Sequence, residues 1–146
     1  MAKTYQTNGV TRFANRILGS FIRMGIMPAK MHILTVKGRK TGKLYSTPVS
    51  LVMEGDRRYV VSPYGEVSWV KNARVSGEAT LTRGSKQETR KLRELPPQEA
   101  APILKAYITA EAITRQYFTV TVDSPVEAFE AEASAHPVFE LLAGAG

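Results

Sequence analysis

MHILTVKGRKTGKLYSTPVSLVM, residues 31–53, decides the fold. Its first seven residues, Met31 to Lys37, have strand length and are rich in apolar and β-branched types. Gly38-Arg-Lys-Thr-Gly42 interrupts them with two glycines in five residues, which signals a turn. Leu44 to Met53 then resumes the strand pattern. Two such runs across a short turn make an antiparallel hairpin, and this one carries basic residues at its tip.

The same pattern continues outward from the hairpin. Glu54-Gly-Asp-Arg57 reads as a further turn and Tyr59 to Ser62 as a third strand. Val67, Val70 and Ala73 recur at helical spacing within Glu66 to Ser76, with Gly77 placed to cap that helix. Ala79 to Arg83 and Gln87 to Glu94 flank a Gly84-Ser85 turn and form a second hairpin, its later strand alternating and exposed. Pro97-Gln-Glu-Ala opens a helix that runs to about Ile108. Gln116 to Val122 reads as the last strand, followed by a short helix from Pro125 and a tail, His136 to Leu142.

Before the hairpin, residues 8–27 place Val10, Phe13, Ile17, Leu18, Phe21 and Ile22 on one face and arginines on others, until Pro28 ends the pattern. This basic amphipathic helix covers the open end of a barrel or lies peripherally on a membrane. The expectation is one mainly β domain over 1–146, with the helix at 8–27, a barrel of about six antiparallel strands over 30–122, and a C-terminal helix and tail at 123–146. No regular strand–helix alternation supports a doubly wound parallel sheet.

Composition narrows the chemistry. The chain has 146 residues, of which 43% are apolar and 23% charged, as expected of a globular domain. It has no cysteine, which removes disulfides, thiolate metal sites and thiol nucleophiles, and fits a cytoplasmic location. The N-terminus shows no secretory signal pattern, and no apolar run has membrane-spanning length. The net charge of +7 fits a polyanionic ligand, an anionic membrane surface or nucleic acid. No recognition helix or interleaved stacking aromatics point to nucleic acid. The two histidines, His32 and His136, lie far apart, so no metal is expected, and no Gly-x-Ser-x-Gly elbow is present. An enzyme built from these residues would borrow its chemistry from a cofactor.

Two stretches could seat such a cofactor. Lys37, Arg39, Lys40 and Lys43 surround the tight turn, where glycines let backbone N–H groups approach an anion and arginine adds a bidentate donor. The bland alternative is a solvated basic turn. Trp69, the only tryptophan, and Asn72 share one helical face, pairing an aromatic plane with an amide. The alternative there is a core tryptophan and a local cap.

Ile33-Leu-Thr-Val-Lys-Gly-Arg-Lys-Thr-Gly42, then Pro48, Val60-Val-Ser62 and Trp69-Val-Lys-Asn72, resemble the deazaflavin-dependent nitroreductase family of actinobacteria. The resemblance covers about residues 30 to 122. It implies a split β-barrel related to flavin-binding and pyridoxamine-phosphate-oxidase-like proteins, and coenzyme F420 as cofactor. Arg39, Lys40 and Thr41 match the turn that holds the cofactor's phosphate and glutamyl tail. Pro48 and Val49 match the strand passing the deazaflavin ring, and Ser62, Trp69 and Asn72 match the segment lining ring and ribityl chain. With Lys37 and Lys43 added from the charge cluster, these are the expected cofactor-binding residues. Tyr64 and Tyr107 are the candidates for a substrate-side proton donor.

The chain departs from the family at Tyr45, where members often carry arginine, and at a shortened Ser62-Pro-Tyr-Gly65 loop. The expected activity is hydride transfer to a small lipophilic acceptor: a quinone, an enone or a nitro compound. The alternatives are a non-catalytic fatty-acid or cofactor carrier and an FMN-dependent oxidoreductase. An oligomer is compatible with all three.

Overall fold

The computed structural model describes residues 31–143, so the helix expected at 8–27 lies outside the described residues. The opening hairpin forms as read. Strand β1 (Met31–Lys37) pairs antiparallel with β2 (Leu44–Glu54), in register from Met31 opposite Ser50 to Lys37 opposite Leu44. Gly42 supplies the turn's left-handed residue at φ 74°, a conformation that would strain a side chain with Cβ.

Strand β2 is long enough to serve two neighbours. Beyond Ser50 it leaves β1 and pairs with β3 (Arg57–Val61), from Leu51 opposite Val60 to Glu54 opposite Arg57. Helix α1 (Ser68–Ser76) follows and ends on Gly77, whose N–H bonds the Ala73 carbonyl at 2.8 Å. Val67 is extended, so the helix begins two residues later than its apolar spacing suggests. Strands β4 (Glu78–Arg83) and β5 (Lys86–Glu94) make the second hairpin. β5 also divides itself, pairing with β4 up to Lys91 and with β6 (Val138–Leu141) from Leu92 onward. The order β1-β2-β3-β6-β5-β4, closed by β4 against β1, is an antiparallel six-stranded barrel. Closure leaves no free strand edge.

Alternation along these strands builds two apolar layers. Leu34, Val36, Leu51, Val60, Leu81 and Phe139 fill the barrel. Leu34, Val36, Val60 and Leu81 are fully buried, each worth about 1.5–3 kcal/mol relative to exposure. Tyr59, Val61 and Val138 point the other way and meet helix α2 (Pro97–Ala110), whose Ala101, Leu104 and Ile108 cover that side of the barrel with Phe129 of α3 (Val126–Glu130).

The expected strand Gln116–Val122 is absent. Ala112–Tyr117 forms a 3₁₀ helix, and the Thr-Val-Thr-Val run after it is irregular. The reason lies in the backbone donors. The buried Glu132 carboxylate accepts the N–H groups of Thr119 at 2.6 Å and Val120 at 3.2 Å, together with the Thr119 hydroxyl. Those N–H groups are thereby withdrawn from any sheet ladder. The sixth strand comes instead from the expected tail, so the barrel extends beyond 122 to Leu141.

Candidate functional site

The β1–β2 bend and the first turn of α1 face each other across a groove of about 340 Å³, lined by Gly38, Arg39, Lys40, Thr41, Tyr45, Ser68, Trp69 and Asn72. The two stretches singled out in the sequence therefore share one concavity, although 33 residues separate Arg39 from Asn72.

Hydrogen bonds shape the bend. Gly38 N–H donates to the Lys43 carbonyl at 2.7 Å, and Gly42 N–H to the Gly38 carbonyl at 3.0 Å. The Thr41 hydroxyl accepts the Lys43 N–H and meets the Tyr45 hydroxyl, both at 3.1 Å. Asn72 Oδ1 accepts the Arg39 N–H at 3.1 Å and its guanidinium Nη1 at 2.7 Å. The N–H groups of Lys40 and Thr41 meet no acceptor among the described residues. These two consecutive N–H groups on the glycine-flanked bend are thus left without a protein acceptor, so their bonding capacity is open to solvent or an anion.

Charge accumulates at the same place. Among the described residues, Arg57, Arg58, Arg74, Arg90 and Arg93 are each ion-paired with glutamates. Among the described residues no carboxylate pairs with Lys37, Arg39, Lys40 or Lys43. Positive charge is thus left uncompensated at the bend. Helix α1 adds to it, because its first turn opens on the groove and contains no acidic residue. Trp69 supplies the apolar wall. It packs at 53° against Phe139 of the barrel, with centroids 5.8 Å apart, and is half-buried, so part of the indole stays open to the groove.

Other expected residues lie outside this lining. Lys37 and Lys43 are exposed at the ends of the bend, with the Lys37 stem alongside Gly42. Pro48 stands opposite Ile33 in the hairpin, and the Val49 side chain is buried in the barrel. Ser62 is fully buried, donates its hydroxyl to the Gly65 carbonyl and fixes the loop after β3. Tyr64 sits on that loop, partly exposed, with its ring edge-on to Tyr117 at 5.1 Å. Tyr107 is buried under α2, where desolvation pushes its phenol well above the ordinary value, opposed by a hydrogen bond with Thr114. Close by, His136 stacks on Phe118 at 3.8 Å, and burial pulls its imidazole below the usual value, against the pull of Glu132.

Sequence reasoning did not assign Gly38, Tyr45 and Ser68 to the groove. Tyr45 carried a usable signal: it follows the bend closely enough for its ring to fold back over Gly38, where a Cβ would stand 2.5 Å from ring carbon Cε2.

The closed antiparallel barrel places the chain in the class of split β-barrels, and the solved structures that share this fold include the following three. One, described as a domain-swapped dimer, is 23% identical with a TM-score of 0.59, covering 91% of this chain and 96% of that one. An F420-H2-dependent reductase is 21% identical with a TM-score of 0.55, covering 80% and 96%. A 5-nitroimidazole antibiotic resistance protein from Bacteroides thetaiotaomicron is 16% identical with a TM-score of 0.52, covering 84% and 77%. No curated protein matches the chain. Residues 8–128 match the family of F420H(2)-dependent quinone reductases, and the chain belongs to that family. It is an oxidoreductase whose cofactor is coenzyme F420. The groove fits that group's chemistry: unpaired cations, free N–H donors and a helix N-terminus suit its phosphate and carboxylate tail, and Trp69 offers a plane for a flat ring. Among the described residues no helix is long and apolar enough to cross a membrane.

Proposed function

We propose that this chain reduces a small apolar acceptor of the quinone or enone class, with F420 held by its anionic tail at the β1–β2 bend. Reduced F420 supplies a hydride, so the protein's tasks are to hold it, orient it and manage protons. Arg39 and Lys40 bind the tail, aided by the Thr41 hydroxyl and the free N–H groups of the bend, while Lys37 and Lys43 steer it electrostatically. Trp69 covers one side of the ring end. Pro48 and Val49 contribute backbone only, since the Val49 side chain is committed to the core. Ser62 holds the loop that carries Tyr64 rather than touching the cofactor.

Tyr64 is the acceptor-side proton donor. It is partly exposed, whereas Tyr107 is buried and its raised phenol is a poor acid. The observation that carries this reading is that two of the unpaired cations, Arg39 and Lys40, and the indole-bearing helix line a single groove.

The test is Arg39→Ala with Lys40→Ala, titrated with F420 at two ionic strengths. Loss of two charge-assisted contacts should weaken binding roughly 10- to 100-fold at low salt, and the difference should shrink as salt screens the wild type. Equal affinity for variant and wild type at low salt would remove the clamp.

A further inference from the structure

Asn72 stands in the groove, but its carbonyl oxygen faces another part of the protein. Oδ1 takes both the backbone N–H and the guanidinium Nη1 of Arg39, at 3.1 and 2.7 Å. An amide oxygen has two lone pairs, and both are engaged by this one residue. Asn72 is itself buried, 4% exposed, on a helix anchored in the barrel core through Val70 and Ala73. The backbone bond therefore ties the bend to α1, and the side-chain bond sets the direction of an otherwise exposed arginine.

The choice of a neutral acceptor matters. Arg74 and Arg93, which serve the scaffold, are held by the carboxylates of Glu94 and Glu99. Such a pair orients a guanidinium and also cancels its charge. The Asn72 amide orients Arg39 and leaves the full positive charge, with all but one of its five N–H donors, for a ligand.

We propose that Asn72 is a positioning residue that acts on the anionic ligand through Arg39, presetting its guanidinium without discharging it. This rests on the groove being the F420 site. The alternative is that Asn72 touches the ligand directly and independently.

A double-mutant cycle read as F420 affinity at two ionic strengths separates these, using the full chain as wild type, Asn72→Ala, Asn72→Asp, Arg39→Ala and Arg39→Ala/Asn72→Ala. Asn72→Ala should weaken binding about tenfold, because a loosened arginine must be reordered on binding, with the salt dependence unchanged since no charge is lost. Asn72→Asp keeps shape and fold but pairs Arg39, so it should weaken binding at least as much and flatten the salt dependence. In the Arg39→Ala background, Asn72→Ala should change affinity less than about twofold. If the two single effects multiply in the double variant, or if Asn72→Asp binds as wild type does, the positioning role is overturned while the cofactor site stands. A wild-type chain with no saturable F420 binding overturns both.

Discussion

Gly38 gives the most local test of the bend. A Cβ there would lie 2.5 Å from Cε2 of Tyr45, 3.0 Å from the Thr41 hydroxyl and 3.2 Å from the Lys43 carbonyl. Carbon atoms in contact sit at roughly 3.5 Å, so Gly38→Ala forces the Tyr45 ring back by about 1 Å and strains its bond to Thr41. Gly38 does not have positive φ, so the effect is steric rather than conformational. Overpacking typically costs about 1–3 kcal/mol. The lower end is expected here, because Tyr45 is 48% exposed and can swing toward solvent. Urea unfolding of Gly38→Ala should therefore report a loss near 1 kcal/mol, and F420 affinity should fall several-fold as Tyr45 is displaced across the groove. Adding Tyr45→Ala should recover most of the stability loss relative to Tyr45→Ala alone. An undiminished cost in that background would show that the ring is not what confines Gly38. Unchanged F420 affinity in Gly38→Ala would separate the bend from ligand binding.

Two further outcomes are expected. Tyr64→Phe should lower turnover with a soluble quinone by about 10²-fold or more while leaving F420 affinity unchanged, as steady-state kinetics beside a binding titration would reveal; undiminished turnover would discard Tyr64 as proton donor. His136 makes stability pH-dependent, because burial lowers its folded-state value. The unfolded chain then takes up the proton first as pH falls, so the contribution is fully present above about pH 6.5 and declines below it. Thermal melts between pH 7.5 and 5.5 should show a falling midpoint for wild type and a shallower slope for His136→Phe; identical slopes would assign the dependence to other groups.

The barrel was legible where sequence pattern and structure obey the same local rule. The β1–β2 hairpin follows from Met31–Lys37, a two-glycine bend and Leu44–Met53, because strand propensity and turn chemistry both act over a few residues. The last strand was misassigned because its cause is tertiary. Thr119 to Val122 has strand composition, yet Glu132, 13 residues after Thr119, takes the backbone donors. Val138–Leu141 is only four residues long and buried on both sides, so it shows no alternation. Glu140 within it reads as a surface residue until Arg93 is seen 3.0 Å from its carboxylate.

The site was legible to the same degree. Local charge and aromatic spacing marked the bend and the Trp69–Asn72 face. The bond between Arg39 and Asn72 could not be read, because it depends on how α1 packs against the hairpin. Ser62 matched a family position while its hydroxyl serves its own loop.

The account rests on the groove between the β1–β2 bend and α1 holding F420. Titration of the purified protein with F420 and with FMN, side by side at low and high salt, tests this most directly. Saturable F420 binding that weakens with salt, is lost in Arg39→Ala/Lys40→Ala and is not displaced by FMN is the predicted result. Tighter binding of FMN, or F420 binding indifferent to both salt and the two substitutions, would contradict it.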